Sequence, residues 1–406
     1  MAESIMGSSK SALKIMSRDL LDDHGHIAGV AKIIHATLQP GAKLYALNRR
    51  SVQFVKASMD ALASRIGEAG ANGHTTISLY QWVNHQVMMA TTEGIYGPQN
   101  PFRDDNVVQA SGILPLLTTP IPSITARQSI RARETLIKAY IAYYEKRGFE
   151  DPQTSAYIRD RQQYFSSEGL SLVDIARIEA LSAIALLSNT MPASFWLVYH
   201  IVSDPTVLAD CREELTRALN ISIGGDGKGT MDAVQSIDID CIRRNCPVLL
   251  STFKEVFRYH VVGISSRVIM EEHLLDGRFL PFSHKRFVGG LSGSKGSRRL
   301  NAVAFRGLGG GASLCPGRHF VSTEIMAFAA LFVLRFDAKP ASGARWSIPT
   351  VEKTNLATSI HQPDHDVEIE VRLLGNEGVK WEVKLSESDI PMEISAEDMA
   401  AIDTTE

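Results

Sequence analysis

Cysteine is scarce in this chain. Four are present in 406 residues (Cys211, Cys241, Cys246 and Cys315), and no two stand in a Cys-x-x-Cys spacing. That excludes a disulfide framework and the usual zinc patterns, and it fits a reduced, intracellular protein. Net charge is scarce as well. A formal charge of −3 gives no electrostatic case for binding nucleic acid. The first ten residues, Met1-Ala-Glu-Ser-Ile-Met-Gly-Ser-Ser-Lys, hold neither an apolar run of membrane-spanning length nor a signal-peptide core. Membrane contact is therefore expected to be peripheral at most. The remaining composition, 44% hydrophobic and 21% charged, is that of a globular protein with a large core.

Glycine is concentrated in one place. Residues 307–320 read Gly-Leu-Gly-Gly-Gly-Ala-Ser-Leu-Cys-Pro-Gly-Arg-His-Phe, and an apolar helical pattern follows at once. Glycines without Cβ let backbone turn tightly and approach a flat ligand closely. Pro316 suits the first turn of a helix, where its missing N–H costs nothing. Cys315 then lies at the positive end of the helix dipole, which favours thiolate over thiol. A thiolate on such a loop is a suitable axial ligand for haem iron. A second reading stays open, since Gly307-x-Gly309-x-x-Ala312 also fits a loose dinucleotide fingerprint after the strand-like Val303-Ala304-Phe305.

The loop resembles the haem-ligand loop of the cytochromes P450, whose pattern is Phe-x-x-Gly-x-x-x-Cys-x-Gly. Gly311, Cys315 and Gly317 match. Leu308 replaces the family's Phe, and Ser313 stands where many members carry a basic residue. The wording is similar to a fungal branch related to sterol 7α-hydroxylases and prostacyclin synthase. The resemblance implies a mainly α fold with small β-sheets and a haem (iron, axial thiolate) held by Cys315 between Gly311 and Gly317.

Two other stretches carry the resemblance. Residues 172–203 are apolar and nearly free of charge after Glu179, with Ser188-Asn189-Thr190-Met191-Pro192-Ala193 in the interior. A proline there removes one N–H and frees the carbonyl of Ser188, so the helix is expected to kink or open. An ordinary kinked core helix satisfies the same pattern. Through the resemblance it is the helix that crosses the oxygen face of the haem. Most of the family places an acid–threonine pair there; the 7α-hydroxylase-like branch has Asn-Thr-x-Pro-Ala, as here. Asn189 and Thr190 are then the oxygen-side candidates. Farther on, Glu255 and Arg258 stand three apart on one helix face, 57 residues before Cys315. In the family this pair is a buried structural lock, and Arg286 of Arg286-Phe287 is its third member. Arg267 matches an arginine that binds a haem propionate. Lys32 and His35 are weaker basic candidates, better read as surface residues.

Measured against the family, the chain is expected to lack the first hundred or so residues, and Phe279-Leu280-Pro281 runs straight into Phe282 where the resemblance implies about thirty more residues. Residues 1–382 are expected to form the haem domain, and the acidic stretch 383–406, poor in large apolar groups, a disordered tail.

The expected activity is that of an oxidoreductase: a haem-thiolate monooxygenase acting on a small apolar molecule (terpenoid, sterol-like or polyketide) in secondary metabolism. NADPH-cytochrome P450 reductase is the implied electron donor. The implied location is the endoplasmic reticulum membrane, where the family usually resides, although no anchor is visible here. Two alternatives are a P450-type isomerase or dehydratase working without a reductase, and a non-catalytic truncated remnant.

Overall fold

The computed structural model describes residues 7–19, 22, 24–70, 73–113, 127–225, 231–261, 283–285, 307–310, 314–353, 358–375 and 379–385. Helices dominate. In the first half they are α1 (Lys10–Met16), α2 (His26–Leu38), α3 (Ala42–Gly67), α4 (Leu79–Tyr96), α5 (Asp105–Ile113), α6 (Arg127–Glu145), α7 (Ala156–Ser167) and α8 (Leu172–Leu187). They continue with α9 (Thr190–Val202), α10 (Pro205–Ala218), α11 (Ile239–Asn245), α12 (Pro247–His260) and α13 (Arg318–Arg335). The strands are β1 (His74–Ser78), β2 (Asn220–Gly225), β3 (Met231–Asp238), β4 (Phe336–Pro340), β5 (Glu368–Leu373) and β6 (Lys380–Lys384). One sheet runs β1-β5-β4, antiparallel throughout. The other runs β2-β3-β6, with β3 and β6 parallel.

Local chemistry explains several boundaries. Asp204 accepts from the amides of Thr206 and Val207, with Pro205 opening α10. The N-cap of α12, Cys246, makes no side-chain cap, and Glu214 on α10 accepts the Val248 and Leu249 amides instead. Pro40 and Gly41 lie just past the end of α2.

The proline-bearing stretch 98–122 contains α5, which occupies the proline-free interval after Pro101. β2 and β3 pair antiparallel on either side of residues 226–230, and β3 also takes β6 as a parallel partner. β6 also runs to Lys384, past the boundary expected at 382. Residues 386–406, the turn around Asp276-Gly277 and the Leu280–Pro281 junction lie outside the described residues.

Two apolar cores form. The first gathers α3, α9, α12 and α13, with Trp196, Phe253, Phe328 and Phe332 buried. The second gathers α4, α6, α7 and α8 around Tyr96, Tyr140, Phe102 and Phe165. Met191 and Val321 pack against both, so the start of α9 and the first turn of α13 meet at the seam. Among the described residues one helical stretch, Leu172–Val202, has the length and composition to cross a membrane, and 65% of its apolar window is buried inside the protein.

Candidate active site around Cys315

The cysteine loop is closed by its own backbone. The Cys315 amide donates to Leu308 O at 2.9 Å, and Gly309 takes φ +79°, a conformation that favours glycine. Pro316 and Gly317 form a turn ahead of α13 rather than its first helical turn. The Arg318 amide reaches back to Cys315 O (3.4 Å), and the helical ladder opens with Val321 N to Gly317 O (3.0 Å). Arg318 Nη1 also donates to Cys315 O, at 3.2 Å. Cys315 thus stands just before the helix start, partly exposed.

Burial raises the pKa of the Cys315 thiol, while a hydrogen bond from the Gly317 amide and the positive charge of Arg318 act the other way. The helix start alone does not make this sulfur a thiolate; a bound metal cation supplies the rest.

The residues present fit a haem. Among the described residues a Cβ placed on Gly317 meets only Leu38 Cδ1, at 3.9 Å, so these leave side-chain-sized space two residues from the cysteine. Among the described residues no group of three His, Cys, Asp or Glu side chains is arranged to hold a bare metal ion. A single sulfur suits iron whose other ligands come with a porphyrin. Cys315 and Gly317 are therefore the described residues that would hold the group. Gly311 and Arg267 lie outside the described residues.

The long apolar helix does open. α8 ends at Leu187, residues 188–189 form a turn, and α9 begins at Thr190 with Pro192 in its first turn. Thr190 Oγ1 donates to Leu186 O (2.8 Å), and Ser194 Oγ donates to Thr190 O (2.9 Å), so hydroxyls serve carbonyls around the break. Asn189 turns elsewhere: its Oδ1 accepts the Ser359 amide at 2.8 Å.

Two members of the expected lock, Glu255 and Arg258, pair. Glu255 is fully buried, and Arg258 donates to it through Nε and Nη2, both at 2.8 Å. Ser283 N adds a third bond to Glu255 Oε1 (2.9 Å), which ties the stretch before Cys315 to α12. Arg286 lies outside the described residues. Lys32 and His35 sit on α2, where His35 pairs with Gln39 at 3.3 Å.

One buried group escaped sequence reasoning. Glu324 on α13 accepts from Ser51 Oγ and Thr91 Oγ1, both at 2.7 Å, and is 1% exposed. Its spacing from Cys315 was visible; its partners, 273 and 233 residues away, were not. Burial lifts its carboxyl from 4.5 to about 7, against the two hydroxyls that pull it down. A raised carboxyl pKa means the folded state holds the proton more tightly. Stability from this group is then full below about pH 4.5 and falls as pH rises toward 7, by about 3 kcal/mol in all. Urea unfolding of wild type and Glu324→Gln between pH 4.5 and 8 checks this. The wild-type-minus-variant stability difference should decline across that window, and a flat difference would show that the carboxyl titrates normally.

Comparisons with known proteins give the chain's relatives. No family model matches the chain. The cytochrome P450 monooxygenase nodJ of Hypoxylon pulicicidum is 32% identical over 422 aligned positions, which cover 96% of this chain and 78% of that protein. The cholesterol 7-alpha-monooxygenase of Cricetulus griseus is 26% identical over 65% of this chain and 58% of its own length. Among solved structures, retinoic acid-bound cyanobacterial CYP120A1 shares the fold with a TM-score of 0.59 at 16% identity, covering 88% of this chain and 83% of that one. With a cysteine loop, an opened helix and a Glu–Arg pair in the family's order, and a relative this similar over most of both lengths, the chain belongs to the cytochrome P450 monooxygenases.

Proposed function

We propose that this P450 oxidises a small apolar molecule of terpenoid, sterol-like or polyketide type in secondary-metabolite biosynthesis, with electrons from an NADPH-cytochrome P450 reductase. The observation that carries the haem assignment is the partly exposed Cys315 on a closed glycine loop, backed by α13. Haem bound there would supply oxygen activation, which electron donation from the Cys315 thiolate would promote. The protein's part is to hold that sulfur with the Gly317 amide and Arg318, and to brace the preceding stretch on Glu255. Thr190 is assigned the oxygen-side contact at the helix opening. The apolar substrate class is supported by the cholesterol-oxidising relative and by the motif style shared with fungal P450s. The same reading includes a location beside that reductase at the endoplasmic reticulum membrane.

The proposal includes an internal gap near Leu280. Support comes from the alignment with nodJ: 96% of 406 residues is about 390, against 422 aligned positions, so about thirty positions are filled by the relative alone.

The test is the spectrum of the reduced, carbon-monoxide-bound protein, followed by turnover with and without NADPH and reductase. A thiolate-type Soret band with NADPH-dependent oxidation is expected. Turnover of a peroxide without NADPH would assign the isomerase class, and a purified protein that takes up no haem would make it a remnant.

A further inference from the structure

Residues 358–361 lie as a strap across α9 and the end of α12. The Ser359 amide donates to Asn189 Oδ1 at 2.8 Å. Ile360, 1% exposed, forms an antiparallel bridge with Val261. The His361 amide donates to His260 O at 3.0 Å, and Trp196 Nε1 donates to His361 O at 2.7 Å. Asn189 and Trp196 are seven apart, two helical turns, so one face of α9 grips the strap at both ends.

The far anchor is rigid. The Trp196 ring stacks on His260 with centroids 3.9 Å apart and planes at 12°. His260 Nε2 and His200 Nε2 are 2.8 Å apart, and burial holds both rings neutral, His200 down to about 3 and His260 to about 2. One ring therefore donates and the other accepts. His260 Nδ1 is buried with no hydrogen-bond partner among the described residues. A bare acceptor costs less there than a stranded N–H, so His260 carries its proton on Nε2.

The near anchor is Asn189. It is the N-cap of α9, and an N-cap side chain ordinarily accepts from the second or third helical amide. The third helical residue here is Pro192, which has no N–H, the backbone of Asn189 is itself helical (φ −105°, ψ −32°), and Asn189 makes no cap bond. Its acceptor goes to Ser359 instead. The helix opening adjoins Met191, which packs at the seam with Val321, six residues beyond Cys315.

We infer that Asn189 is a positioning residue for the substrate side of the reaction: it pins the strap 358–361 against the helix opening and makes no oxygen contact of its own. The substrate-side role rests on the monooxygenase reading; the tether itself does not.

Amide hydrogen exchange on the peptide spanning 358–361 tests the tether without catalysis. Asn189→Leu keeps the bulk and loses the acceptor; exchange there is expected to speed up about ten-fold. Asn189→Asp keeps an acceptor oxygen and should stay within about two-fold of wild type. Trp196→Phe, which keeps a stacking ring and loses the bond to His361 O, should loosen the same peptide and leave α3 unchanged, a second route if Asn189→Leu folds poorly. On haem-loaded protein, phenylimidazole reaches past the iron into the substrate side, whereas imidazole does not. Its spectral Kd should shift about five-fold in Asn189→Leu, with imidazole unaffected. Unchanged exchange in Asn189→Leu and Trp196→Phe, or equal loosening in Asn189→Asp, overturns the tether. Loosened exchange with unaltered phenylimidazole binding overturns the substrate-side role. Failure of the monooxygenase reading would show separately, as wild-type protein without a thiolate-type spectrum, and would take the substrate-side role with it.

Discussion

Cys315→Ala is expected to abolish the thiolate-type spectrum of the reduced, carbon-monoxide-bound protein, and with it all NADPH-supported oxidation, while the described fold stays intact. No other cysteine has a comparable setting. Cys211 and Cys246 are fully buried in the first core, and burial pushes each thiol up to about 12. Cys241 sits within α11, where Asn245 Nδ2 lies 3.1 Å from its sulfur. Among the described residues only Cys315 lies on a glycine loop with side-chain-sized space two residues away. Because Cys315 is partly exposed, its truncation should change unfolding stability by no more than about 1 kcal/mol. Loss of the spectrum on replacing Cys211, Cys241 or Cys246, with Cys315→Ala still showing it, would refute the assignment.

Glu179→Ala should be the most destabilising single change in the second core, by about 3–5 kcal/mol. Arg161 and Glu179 form an ion pair at 3.0 Å with side chains 3% and 1% exposed. Tyr96 Oη donates to Glu179 Oε1 at 3.0 Å and also meets Tyr140 Oη at 2.9 Å. The Arg161 guanidinium lies 4.6 Å from the centre of the Tyr157 ring. Removing Glu179 strands a guanidinium among aromatic rings, with little but Ser182 Oγ (2.6 Å) to receive it. Against a net stability of about 5–15 kcal/mol, that loss is a large share. The double variant Arg161→Met/Glu179→Met should recover much of it, because no charge is left uncompensated. Chemical denaturation of the three proteins measures both terms. A loss under about 1 kcal/mol for Glu179→Ala would mean that water reaches the pair.

What the sequence disclosed was short-range. Cys315 announced itself through its glycines, and Glu255 and Arg258 through a three-residue spacing. The opening at 188–189 followed from one proline, because a missing N–H acts on its own helix. What stayed hidden depends on residues far apart in the chain. Nothing beside Asn189 shows that its acceptor goes to Ser359, 170 residues on. Glu324 reads as one polar position on an apolar helix until Ser51 and Thr91 are folded beside it. The parallel pairing of β3 with β6 is hidden for the same reason: β6 begins at Lys380, too distant for any local pattern to reveal.

That distance also has a timetable. Helix α3 leaves the ribosome early, but some of its partners are made late: Tyr45 Oη waits for Leu385 O and Gln53 Nε2 for Val383 O, separations of 340 and 330 residues. At about 5–20 residues per second, the delay is on the order of 15–65 seconds. Leu79, Val83 and Val87 of α4, made soon afterwards, share the core with Val52, Val55, Met59, Leu62 and Ile66, but the share of that face which α13 covers stays open on the nascent chain until the late residues arrive. Newly made protein should therefore depend on chaperones during translation, and slowing elongation would lengthen the interval in which it is lost to aggregation.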